Sequence, residues 1–370
     1  MDPYRRLIMF PTAFFTTFII VTLFHAASAK PALSLALTGP READGVGALR
    51  VTARLVNTGD VELRLLNDPR TILNKIETNS FFIADGAGRS PTFTGTFVKY
   101  SPKKIVERNR TSSFTVLAPG ASVEIKHDLS RAYNFAGSGE STYDIGVAAN
   151  VFHYVDPSGK LATIRANTVK ANHKTALKGT LAVERRTTRH WHATSRFHKR
   201  IAYQSCSESE KEILVDAAAA AQAYADDTVK YLTPIRDGTP ASSPRWAKWF
   251  GNFTTAHHAK VLDNFRKIAA QPFASYTYDC SCKNPDVFGY VVIGDSGTIY
   301  LCGIFWQASK TGSDSRAGTL IHEASHTIAE TDDFEYGKDG AADLAVRNPA
   351  EAIANADNTE YFAENDPSLA

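Results

Sequence analysis

Apolar and polar positions alternate along most of the first half of the chain. Residues 48–56 read ALRVTARLV, and after Asn57-Thr58-Gly59-Asp60 the alternation resumes over 61–66. Segments 113–117, 122–127 and 143–152 carry the same period of two, punctuated by Pro119-Gly120, Gly137-Ser138-Gly139 and Pro157-Ser158-Gly159. In an extended chain successive side chains point to opposite faces, so this period marks half-buried strands. Short strands between such turns predict an all-β sandwich, immunoglobulin-like, over residues 30–183.

After residue 200 the period lengthens. Ser207-x-x-Glu210 is a capping box, and the alanines at 217–221 favour a helix, which should run to about Tyr231 before Pro234 and Pro240 stop it. A second helix is predicted over 245–270. Strands follow at 276–282, 287–293 and 298–302, the last two joined through Gly294-Asp295-Ser296-Gly297 as a hairpin turn. A helix over 315–329, a loop, and a C-terminal helix over 349–364 complete the pattern.

Composition adds compartment and charge. The 370 residues are 43% apolar and 22% charged, enough to bury a core and too apolar for bulk disorder. Arg5 and Arg6 precede an apolar run over 7–24, and Ala27-Ser28-Ala29 offers small residues to a signal peptidase. Residues 1–29 therefore read as a secretory signal cut after Ala29, leaving a secreted, extracellular protein with no membrane segment. Asn109-Arg110-Thr111 and Asn252-Phe253-Thr254 are glycosylation sequons that suit this route. The net charge of +2 conceals 28 Lys and Arg against 15 Asp and Glu in residues 1–200, and 13 against 24 in 201–370. Two bodies of opposite sign attract each other. Between them, residues 184–200 form a basic linker ending in Lys199-Arg200, where cleavage after Arg200 would release a chain starting at Ile201. Nothing in this charge pattern calls for a nucleic-acid partner.

All four cysteines, Cys206, Cys280, Cys282 and Cys302, lie in the acidic half. On an extended strand Cys280 and Cys282 would hold their Cα atoms roughly 6.5–7 Å apart with near-parallel Cβ vectors, which disfavours a bridge between them. Two connectivities remain, and either ties the first helix to the sheet.

The chemistry is concentrated at His322-Glu323-Ala324-Ser325-His326. Histidines at i and i+4 share one helical face and can grip a single Zn²⁺, while Glu323 can serve as general base toward the attacking water. A third ligand is required. Ala329 and Asp332 stand where a metzincin would carry Gly and a third His, so Asp332 and Asp333 are the nearest donors, and Glu360 and Glu364 lie farther downstream.

His322-Glu323-x-x-His326 followed by Thr331-x-Asp333-x-x-Tyr336-Gly337 resembles the aspzincins, the deuterolysin group of zinc endopeptidases. Glu330 stands where that family usually has Gly. Asp279-Cys280-Ser281-Cys282, residues 298–306 and residues 355–365 are similar to the fungal peptidyl-Lys metalloendopeptidases within the group, a likeness that spans 201–370. The resemblance implies a zincin-like α+β domain over 201–370, with one Zn²⁺ held by His322, His326 and Asp333. It implies that Tyr336 donates to the oxyanion, and that bridges join Cys206 to Cys280 and Cys282 to Cys302. It further implies that Asp357 and Glu360 read a substrate lysine on the carboxyl side of the cut bond. Their spacing of three on a predicted helix puts both on one face, where they could instead hydrogen-bond the site histidines.

The leading expectation is a secreted zinc endopeptidase made as a precursor and cutting Xaa-Lys bonds in proteins. The alternatives are a deuterolysin-like protease of broad or generally basic preference, and a secreted binding protein with a structural zinc. The pro-region has no cysteine to cap a metal, but its basic charge over an acidic enzyme could cover the cleft, with one of its own lysines or arginines in the acidic pocket.

Overall fold

The computed structural model describes residues 30–170, 172–183, 201–233, 243–295 and 297–369. The proposed signal 1–29, the linker 184–200 and both processing positions, Ala29 and Arg200, lie outside the described residues. Among those described, no helix is long and apolar enough to cross a membrane.

The first unit holds two large sheets. One has seven strands in the order Phe114–Leu117, Leu63–Leu66, Val151–Val155, Leu161–Lys170, Leu33–Thr38, Arg50–Asn57, Ser122–Asp128. The other has four: Glu42–Asp44, Asn172–Lys178, Ser141–Val147 and Phe81–Asp85. Inward residues of both, among them Leu35, Leu55, Ile83, Ile145 and Phe152, form one apolar core. Most neighbours are antiparallel, but Leu33–Thr38 runs parallel to Leu161–Lys170, and Glu42–Asp44 to Asn172–Lys178. The run expected at 143–152 is two strands in different sheets, because the chain bends after Val147 and crosses over.

The second unit mixes helices with a small sheet. Helix Glu208–Leu232 starts at the expected capping box, both of whose hydrogen bonds form. It buries Leu214, Ala217, Ala221 and Ala225 against the core. The helix expected over 245–270 is two, Pro244–Phe250 and Thr255–Ala270. Gly251 separates them at φ 69°, and a Cβ there would fall 2.0 Å from the Ala345 carbonyl oxygen. The C-terminal helix is likewise divided into Pro349–Ala352 and Ala356–Glu364, and helix Gly337–Arg347 occupies part of the expected loop. Bridges join Cys206 to Cys280 and Cys282 to Cys302, each with Cα atoms 4.9 Å apart.

The five-stranded sheet runs Ala202–Gln204, Thr277–Asp279, Thr298–Leu301, Gly289–Val292, and then Thr96–Lys99. Its last strand comes from the first unit. It lies antiparallel to Gly289–Val292 with Lys99 opposite Gly289 and Thr96 opposite Val292. One unit thus completes the sheet of the other, beside the helix that carries the histidines.

Candidate metal centre and its acidic pocket

The site helix, Arg316–Ile328, begins at Ser315, whose hydroxyl oxygen accepts from Gly318 N at 2.9 Å and donates to Glu364 Oε1 at 2.7 Å. Every residue from Ala317 to His326 is buried. Gly318 is needed for this packing: a Cβ there would lie 2.0 Å from Glu364 Oε1 and 2.9 Å from Glu360 Oε1. The C-terminal helix therefore approaches closely enough for its carboxylates to reach under the site helix.

His322 and His326, one turn apart, turn their Nε2 atoms toward Asp333 Oδ1, at 3.3 and 3.4 Å. These three atoms are buried and none has a hydrogen-bond partner among the described residues. Buried polar atoms without partners are rare, and three that converge mark a place for a cation. Two imidazoles and a carboxylate fit zinc in a site that keeps a position open, rather than a closed four-ligand structural site. His326 is oriented by Nδ1 at 2.9 Å from the Thr331 carbonyl. Asp332 turns away: its Oδ1 accepts from Asp333 N at 2.7 Å, and its backbone bridges to Asn355. Asn355 accepts from Phe334 N and Glu335 N and donates to the Glu335 carbonyl, so the break in the C-terminal helix anchors the loop that presents Asp333. Glu330 takes φ 56°, the left-handed region that Gly adopts freely.

Glu323 is fully buried beside this trio. Its Oε1 accepts from Lys99 N at 3.0 Å, while Oε2 has no partner among the described residues. Burial pushes its carboxyl up to about 7, with Asp333 adding to the rise and the two imidazoles opposing it. Burial would also raise Asp333, but His326 and His322 hold it well below the usual carboxylate range. The Tyr336 hydroxyl donates to Asp333 Oδ2 at 3.1 Å.

Asp357 and Glu360 share a face, as expected, and that face does two things. Asp357 Oδ1 lies 2.9 Å from His322 Nδ1, and it also lies 3.0 Å from the Lys99 ammonium. Glu360 Oε2 is 2.7 Å from the same Nζ and 3.4 Å from His322 Nδ1. His322, Asp357 and Glu360 could together hold a cation, and the Lys99 ammonium already serves there. Sequence reasoning missed Asp314, whose Oδ1 is 3.2 Å from Nζ, and Tyr361, whose hydroxyl is 3.3 Å from Nζ and donates to Asp314 Oδ1 at 2.6 Å. The only local signal for Asp314 is its place just before the Ser315 cap. Burial works against the Lys99 charge, but Asp357, Glu360 and Asp314 hold its pKa well above the ordinary value.

A family model described as lysine-specific metallo-endopeptidase matches residues 236–364. Over 347 residues the chain is 50% identical to a peptidyl-Lys metalloendopeptidase of Armillaria mellea, across 93% of this chain and 94% of that protein. The chain belongs to the aspzincin metalloendopeptidases. A second aspzincin relative, a peptidyl-Lys metalloendopeptidase of Grifola frondosa, is 42% identical over 352 residues, across 94% of this chain and 97% of that protein. A solved zinc peptidase from Grifola frondosa matches 45% of this chain and all of its own at 42% identity, with a TM-score of 0.42. As an aspzincin the protein is a metal-dependent endopeptidase, and the unpartnered trio of His322, His326 and Asp333 has the donor chemistry to hold its metal.

Proposed function

We propose that this aspzincin is made as a secreted precursor and, once freed, is a zinc endopeptidase that cuts on the N-terminal side of lysine. The observation that carries the reading is a lysine side chain buried among Asp357, Glu360 and Asp314 while its backbone nitrogen lies 3.0 Å from Glu323 Oε1. A compact ammonium on a flexible stem suits a narrow pocket of carboxylates. The nitrogen beside Glu323 is the one that becomes the leaving amine when the bond before a lysine is cut.

In this reading His322, His326 and Asp333 are the metal ligands. When bound, zinc supplies a Lewis acid that polarises the scissile carbonyl and lowers the pKa of water. Glu323 takes the proton from the attacking water and delivers it to the leaving nitrogen, a role helped by a carboxyl raised to about 7. Tyr336 donates its hydroxyl to the carbonyl oxygen as that oxygen gains charge. Asp357 and Glu360, with Asp314, read the lysine, and the near contact with His322 Nδ1 orients that ring.

Residues 1–29 act as the export signal and 184–200 as the linker cut after Arg200, with the N-terminal unit as an immunoglobulin-like pro-region and partner of the enzyme. The two disulfides suit an oxidising compartment. Mapping the cuts made in a denatured protein tests the specificity. Cuts confined to Xaa-Lys support it, mixed cuts favour the broad or generally basic protease, and the absence of chelator-sensitive cuts favours the binding protein with a structural zinc.

A further inference from the structure

The strand Thr96–Lys99 enters the cleft in the manner of a substrate, and we propose that its Val98–Lys99 bond is a cleavage site of this enzyme. The N-terminal unit blocks the cleft as a bound substrate and is itself cut there. This rests on the lysine-directed reading above.

Several independent contacts set the register. The strand pairs through four successive residues with Gly289–Val292, leaving its backbone extended along the sheet edge. Lys99 fills the acidic pocket, and in an enzyme that cuts before lysine that pocket receives the residue just after the cut. The bond's own nitrogen, Lys99 N, donates to Glu323 Oε1 at 3.0 Å. On the other side of the bond, Val98 N donates to Asp333 Oδ2 at 2.9 Å. The Phe97 ring stacks on His326 with centroids 4.3 Å apart and planes 10° from parallel. A strand that merely plugged the groove would satisfy the pocket or the sheet. This one also sets one peptide bond between the carboxyl suited to general-base work and the carboxylate suited to the metal.

The step is hydrolysis, with water as the co-reactant. The bond between the Val98 carbonyl carbon and Lys99 nitrogen breaks, and the water oxygen joins that carbon. One water proton passes through Glu323 to the nitrogen, and the other is released as the Val98 carboxyl ionises. The products are a chain ending at Val98 and one beginning with the amine of Lys99. The cut unlinks the two ends, so the half held by the sheet and the half held by the pocket can each leave the cleft. Val98 and Lys99 are wholly buried, so water reaches the bond slowly and the unit inhibits until it is cut. Cleavage at Arg200 is a separate event and yields a different new terminus.

The test incubates the purified full-length chain and follows new N-termini by intact mass and Edman sequencing. In parallel, activity is read on a fluorogenic peptide with one Xaa-Lys bond. A terminus beginning Lys99-Tyr100 should accumulate in the wild type and not in Glu323→Gln. In Lys99→Met that cut should fall roughly tenfold or more. Peptide cleavage by the unprocessed Lys99→Met chain should exceed that of the unprocessed wild type by a similar factor, as expected when a desolvated ammonium no longer holds the carboxylates. A wild-type preparation that cuts the peptide while bond 98–99 stays intact overturns the inference and leaves the lysine preference standing. If no preparation cuts the peptide, Lys99→Met included, the lysine reading has failed and this inference falls with it. Should Lys99→Met not fold, the wild-type termini decide alone.

Discussion

Asp314→Asn separates the charge of the pocket from the imidazoles that would hold the metal. Asp314 sits at φ 51°, a left-handed conformation that Asn also tolerates, so the backbone is preserved. Its Oδ1 lies 3.2 Å from the Lys99 ammonium and accepts from Tyr361, while Oδ2 accepts from Ser101. Burial would raise its carboxyl, but the Lys99 charge keeps it below the ordinary value. At an effective dielectric of ~20, unit charges separated by this 3.2 Å attract by about 5 kcal/mol. The amide forfeits that attraction but is relieved of the carboxylate's own desolvation cost, leaving about 2–3 kcal/mol, or roughly 30- to 150-fold. The assay compares kcat/KM of the freed enzyme on matched peptides with Lys or Met after the cut bond. The Lys peptide should lose that factor while the Met peptide changes by less than about threefold. An equal loss on both, or no loss on Lys, would refute the assignment of Asp314 to the pocket.

Gly318→Ala should lower stability by about 1–3 kcal/mol, because the new methyl meets Glu364 and Glu360 in a packed core; an unchanged thermal midpoint would contradict the close helix approach. Glu323→Gln should lower kcat by about 10²- to 10⁴-fold with metal content unchanged, and loss of metal instead would point to a ligand role. Arg70 joins the units through Glu335 and the Phe334 carbonyl while pairing with the buried Asp68. Burial would raise Asp68, but Arg70 and His153 depress it below its usual range. A carboxyl depressed on folding contributes stability above its unfolded pKa of about 4 and loses it as pH falls further. Arg70→Met should therefore cost the full-length chain about 3 kcal/mol at neutral pH and flatten the acid loss of stability. Urea curves for the two proteins that stay parallel from pH 7 to 3 would rule this out.

The local parts of this molecule were legible and the long-range parts were not. The site helix is announced by its own motif, since two histidines at i and i+4 need nothing beyond one turn to share a face. The capping box at Ser207 needs only four residues, and it forms as read. Asp333 over Asp332 required family resemblance, because neighbouring carboxylates differ only in how the loop is held, and Asn355 holds it from a distant helix. The helix breaks at Gly251 and Asn355 follow from contacts with Ala345 and Glu335, residues far along the chain. The segment Thr96-Phe97-Val98-Lys99 has no alternation to mark it, and all four residues are buried. That it belongs to the other unit's sheet, with Lys99 under the C-terminal helix, depends on packing that no local pattern encodes.

Metal content bears most directly on the central claim that His322, His326 and Asp333 converge on a catalytic cation. Freed wild-type enzyme should carry about one zinc per chain, lose both metal and peptidase activity on dialysis against a chelator, and regain both with added zinc. Asp333→Ala should abolish metal binding while Asp332→Ala retains it. Full activity in metal-free enzyme, or metal retained by Asp333→Ala and lost by Asp332→Ala, would contradict the account.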